Sequence, residues 1–245
     1  MAFIDPGWFA LAFSEDVPPK GVKPLKYFGQ DLVLFRTEDG RAVIADAHCP
    51  HLGAHLGYDG KVEGEAIACP FHGWRYDPEG RCEHVPFADR IPPSARIRVW
   101  PVTEQSGMIF AWHDLDGRPP AWTLPTYDET TRLPEVLPKD HQGAPEEAVP
   151  TSVISSEVLG GGITRVESRA PRVPGVTTVY YVSAAPVDEP LTHYRVNMFL
   201  LVDKDCPLTE DQLQSFNKTV TEHGGPSNIA MARSGRTKPM PRGRS

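Results

Sequence analysis

Cysteine is scarce in this chain: there are four in 245 residues, at positions 49, 69, 82 and 206. So few and so scattered a set cannot staple a secreted domain of this size, and it points to a reducing, cytoplasmic setting. Long apolar runs are also missing. Residues 196–202, broken by Asn197, fall far short of the roughly 20 residues a bilayer requires, so no membrane span is expected. The amino-terminal Met1-Ala2-Phe3-Ile4-Asp5-Pro6-Gly7 has neither the basic start nor the uninterrupted apolar stretch of a signal peptide. Basic residues are outnumbered, 25 Lys and Arg against 32 Asp and Glu, for a net charge of −7. There is no broad basic field to follow a nucleic-acid backbone, and that class of partner is disfavoured.

What is present is enough for a core. Hydrophobic residues make up 40% of the chain, and 26 Pro with 21 Gly indicate many turns without low complexity. The first half reads as short strands. Residues 31–36 and 41–45 flank the turn Thr37-Glu38-Asp39-Gly40, and residues 74–76 and 81–85 flank Asp77-Pro78-Glu79-Gly80. Residues 96–102 and 107–113 read as two more strands. From 117 to 150, seven prolines (119, 120, 125, 134, 138, 145 and 150) leave little room for a regular ladder, because proline has no backbone donor. A linker is expected there. Strand-like segments resume at 151–159, 162–170, 176–184 and 191–202. Thr209-Glu210-Asp211-Gln212 then resembles a capping box, with Leu213, Phe216 and Val220 following at helical spacing and Gly224 as a stop. The tail 231–245 is basic and reads as a frayed terminus.

Two short segments carry the chemistry: Cys49-Pro50-His51-Leu52-Gly53 and Cys69-Pro70-Phe71-His72-Gly73-Trp74. Each pairs one thiolate with one imidazole, and residues 52–68 separate the two pairs. That donor set suits a [2Fe–2S] cluster in which two histidines replace two cysteines on one iron. Cys49 and Cys69 are expected on one iron, His51 and His72 on the other. Zinc takes the same residue types, but its usual finger pairs Cys with Cys and His with His, which the mixed loops do not do. Cys82 and Cys206 read as half-buried small residues, His48 and His55 as neighbours of the ligand loop, Trp74 and Tyr76 as packing beside the cluster. His84 is a weaker contact near the cluster edge.

At this point the sequence resembles a known family. Cys69-Pro70-Phe71-His72-Gly73-Trp74-Arg75-Tyr76-Asp77, with residues 80–90, Ala95, Arg96 and Trp100, is similar to the Rieske domain of Rieske-type non-haem iron oxygenases. Within that family it looks like the oxygenase components of 3-ketosteroid 9α-hydroxylase and cholesterol 7-desaturase. Respiratory Rieske proteins carry an extra cysteine in each loop; Ala54 and Phe71 stand in those places here, so the resemblance favours the oxygenase or ferredoxin class.

With the resemblance, the expected fold is mainly β: an all-β Rieske domain over 1–116, a Pro-rich linker over 117–150, a partial α+β helix-grip domain over 151–224, and, departing from the family, a disordered basic tail over 225–245. The resemblance implies electrons from a ferredoxin or reductase, a bulky apolar substrate of steroid type, and a homo- or hetero-trimer. It also implies a mononuclear iron held by two histidines and a carboxylate. Beyond residue 112 the histidines are His113, His141, His193 and His223, and none has a partner four to six residues on. The chain is therefore expected to run from its linker into the late strands of the catalytic sheet without the iron-binding block. An electron-transfer or accessory subunit stands as the alternative.

Overall fold

The computed structural model describes residues 4–86, 88–125, 136–142, 153–160, 162–169, 175–188 and 191–202, with positions 207, 209, 211 and 212. Ten strands come first: β1 (Gly7–Phe13), β2 (Val22–Tyr27), β3 (Gln30–Arg36), β4 (Ala42–Asp46), β5 (Lys61–Glu63), β6 (Ala66–Ala68), β7 (Arg75–Tyr76), β8 (Cys82–His84), β9 (Val102–Gln105) and β10 (Met108–His113). Five more follow: β11 (Val136–Gln142), β12 (Val153–Gly160), β13 (Ile163–Arg169), β14 (Val176–Asp188) and β15 (Leu191–Val202). They form antiparallel sheets in the orders β1-β10-β9, β2-β3-β4, β5-β6-β7-β8 and β11-β15-β14-β13-β12. The mainly β expectation therefore holds. Among the described residues only Asp211 and Gln212 are α-helical; Leu213, Phe216, Val220, Gly224 and the basic tail lie outside them. The capping box is formed, with the Thr209 N–H donating to Gln212 Oε1 at 2.9 Å and the Gln212 N–H to Thr209 Oγ1 at 3.4 Å.

Strand alternation distributes side chains among three cores. In β3, Leu32 and Leu34 face one core, while Val33 and Phe35 face the core that also holds Cys49, Cys69 and Tyr76. In β10, Ile109 and Ala111 share the first core, and Phe110 and Trp112 face a third with Leu159, Ile163, Val179 and Tyr181 of the five-stranded sheet. β1 is buried along its whole length because both of its faces are covered. It is the shared wall between the first-half sheets and the late sheet.

Two sequence expectations need correction. Residues 96–101 are not a continuous strand: they touch the sheets through single bridges, Arg81 to Arg96 and Ala45 to Val99, and the ladder begins at Val102. The Pro-rich segment is not free of ladder either, since β11 pairs antiparallel with β15. β11 is an edge strand, and its register shifts between Val136 and Lys139, around Pro138. A proline at an edge or bulge removes no ladder bond that the sheet needs.

Candidate metal centre

The two Cys-His segments fold into loops with one hydrogen-bond pattern. In the first, the Cys49 N–H donates to Ala54 O at 2.9 Å and the Gly53 N–H to Cys49 O at 2.9 Å. In the second, the Cys69 N–H donates to Trp74 O at 2.8 Å and the Gly73 N–H to Cys69 O at 3.0 Å. Gly53 and Gly73 close these turns at φ of 76° and 68°, the left-handed region where a side chain is strained. The sequence thus sets two matching loops face to face.

Depth separates the donors. Cys49 and Cys69 are 2% and 4% exposed, whereas His51 and His72 lie at the surface. The two imidazoles meet edge to face with centroids 4.7 Å apart. Burial pushes the Cys69 thiol pKa up and the neighbouring Cys49 adds to this, while backbone N–H groups of Phe71 and His72 bond the sulfur and pull it down. A buried thiol pair of this kind releases its protons readily only when a cation binds the sulfurs in their place. The Tyr76 hydroxyl lies 3.1 Å from Cys49 Sγ, and burial, followed by that contact, raises the tyrosine pKa. Trp74 stacks on His51 at 4.6 Å with 7° between the planes. Sequence reading placed Trp74 and Tyr76 beside the cluster but missed both specific contacts.

The remaining residues fall where their surroundings dictate. His48 and His55 face each other through a backbone bridge with rings 5.3 Å apart, and His55 Nδ1 accepts from the Gly57 N–H at 3.0 Å. His84 lies exposed at the end of β8. Cys82 is buried, with its thiol 3.3 Å from His84 O, and burial raises its pKa, consistent with an unreactive thiol. Cys206 and His223 lie outside the described residues. His141 stands on β11 opposite Tyr194.

His113 is buried among first-half aromatics, and His193 belongs to the seam between the first-half sheets and the late sheet. His113 is 4% exposed and stacks on Phe28 at 4.0 Å and on Trp100 at 5.6 Å. His193 Nδ1 lies 2.7 Å from the Tyr27 hydroxyl in a hydrogen bond, and buried Arg195 donates to that same hydroxyl and to Ala10 O. These two histidines do not fit a facial triad. Among the described residues no three His, Cys, Asp or Glu side chains converge as a single-ion site.

Two buried thiols and two exposed imidazoles thus lie on paired loops of an all-β frame. Residues 7–101 match the family model described as the Rieske [2Fe-2S] domain. The chain carries a Rieske domain, and the cofactor of such a domain is a [2Fe–2S] cluster.

Its relatives are steroid-oxidising proteins by name. The chain is 41% identical over 127 residues to cholesterol 7-desaturase of Xenopus laevis, covering 51% of this chain and 28% of that protein. It is 44% identical over 128 residues to a probable 3-ketosteroid-9-alpha-monooxygenase, oxygenase component, of Rhodococcus rhodochrous, covering 50% of this chain and 32% of that one. The aligned part spans less than a third of either relative. Among solved structures, dicamba monooxygenase bound to dicamba aligns with a TM-score of 0.70 at 15% identity, over 94% of this chain and 85% of that one. At that identity the likeness is one of fold.

Proposed function

We propose that Cys49 and Cys69 hold one iron of the cluster and His51 and His72 the other. The paired loops, with sulfurs buried and imidazoles exposed, are the observation that carries this reading. When bound, the cluster stores and releases one electron. The chain's own groups shape that property. The Tyr76 hydroxyl and the Phe71 and His72 N–H groups favour negative charge on sulfur, and the protein around Cys49 and Cys69 keeps water from them. His51 and His72 form the exposed edge through which an electron enters or leaves.

In this reading the chain accepts electrons from a ferredoxin or ferredoxin reductase and supports O2-dependent hydroxylation or desaturation of a bulky, apolar, steroid-like substrate. The names of the two relatives described above support that choice. A homo- or hetero-trimeric assembly belongs to the same reading. So does the division into a Rieske domain over 1–116, a linker to 150 and a helix-grip-like part to 224. Among the described residues no helix is long and apolar enough to cross a membrane. The few, scattered cysteines fit a cytoplasmic location.

A second reading, an electron-transfer or accessory subunit, draws support from the seam. His113 is sealed in an aromatic stack and His193 is bonded to Tyr27, so neither is placed for an oxygen-activating iron. Iron analysis of the reconstituted protein separates the two readings: about three irons per chain supports the oxygenase, and about two supports the electron carrier.

A further inference from the structure

The contact between His51 and Trp74 joins the two loops. His51 belongs to the first, and Trp74 follows the second, two residues after His72. Their planes are 7° apart at 4.6 Å, a parallel stack, whereas His51 and His72 stand at 74° to each other. The indole is itself held. Its backbone carbonyl accepts from the Cys69 N–H at 2.8 Å, inside the turn that presents the second loop's donors. Trp74 is half-buried and packs against the core that contains Cys49, Cys69 and Tyr76, while His51 is exposed. An exposed imidazole ordinarily rotates about its side-chain bonds. Here one face of it is held flat by a residue anchored to the opposite loop.

We propose that Trp74 is a positioning residue for His51. By stacking on the imidazole it sets the plane in which the ring meets its iron, and so fixes that plane nearly perpendicular to the ring of His72. The inference rests on the ligand set proposed above. Groups that orient a metal-bound histidine usually hydrogen-bond its second nitrogen; in this chain a stacked indole would do so by contact and leave that nitrogen open to solvent or to a redox partner. The orientation of an imidazole plane governs its overlap with the metal orbitals. The electron paramagnetic resonance of the reduced cluster reports that overlap directly, and a simple filling role for Trp74 would leave it unmoved.

The test compares the full chain with Trp74→Phe, which keeps a flat ring, and Trp74→Leu, which keeps bulk but cannot stack. Each is analysed for iron and sulfide and by electron paramagnetic resonance after reduction. The expected result is equal iron in all three proteins, shifted and broadened g values in Trp74→Leu, and values close to the parent in Trp74→Phe. Loss of iron in Trp74→Leu alone also supports the inference. A Trp74→Leu spectrum superimposable on the parent overturns it while leaving the ligand assignment intact. Iron loss in both variants marks Trp74 as a wall of the site, and overturns it too. A parent protein that takes up no iron overturns the ligand assignment and this inference with it.

Discussion

Tyr76 points its hydroxyl at the sulfur of Cys49, 3.1 Å away, from a strand in which the tyrosine is fully buried. A hydrogen bond donated to a cluster sulfur is stronger when the cluster carries the extra electron, so it favours reduction. Tyr76→Phe is expected to keep the cluster and lower its potential, by on the order of 59 mV, one tenfold step for a one-electron couple. Direct voltammetry of both proteins checks this. An unchanged or higher potential in the phenylalanine variant would show that the hydroxyl does not donate to the cluster.

His113 predicts a pH dependence of stability. It is buried against Phe28 and Trp100, and neither ring nitrogen has a hydrogen-bond partner among the described residues. Burial first, then the nearby Arg98, pushes its pKa below the ordinary histidine value, with Asp114 opposing. The unfolded chain therefore binds a proton that the folded chain refuses, so stability falls as pH drops below the unfolded value of about 6.5 and until the folded pKa is passed. His113→Phe is expected to flatten this part of the urea-unfolding profile between about pH 7 and pH 5. Identical slopes in parent and variant would count against a buried neutral imidazole.

Tyr27 predicts how firmly the halves are joined. Its hydroxyl accepts from Arg195 and shares a hydrogen bond with His193, so it ties β2 to β15 across the seam. Tyr27→Phe removes a bond to a buried guanidinium, which is expected to cost about 1.5–3 kcal/mol. Chemical denaturation measures the loss, and limited proteolysis should show the late sheet becoming accessible first. A change under about 0.5 kcal/mol, the ordinary surface range, would mean the relay is incidental.

The two paired loops were legible in the sequence because their signal is local: Cys, His and a turn glycine within five positions of one another. The late strands were legible by composition and alternation. The seam was not. Tyr27 and His193 are 166 residues apart, and nothing in either segment announces the other. The stack of His51 on Trp74 was hidden for a similar reason, since it depends on two loops meeting in space. Proline counting misjudged residues 136–142 because it ignores strand position; Pro138 is tolerated on the outer strand β11, where it would break a central one.

The central claim is that two histidines and two cysteines, one of each per loop, hold a single cluster. The most direct measurement is pulsed electron paramagnetic resonance of the reduced protein, with iron and sulfide analysis of the same sample. The account predicts about two irons and two sulfides in the cluster, with nitrogen couplings from two bound imidazoles. Those signals should disappear, together with the visible absorption, in both His51→Ala and Cys69→Ala. Zinc in place of iron, a reduced cluster without nitrogen coupling, or an intact spectrum in both variants would contradict it.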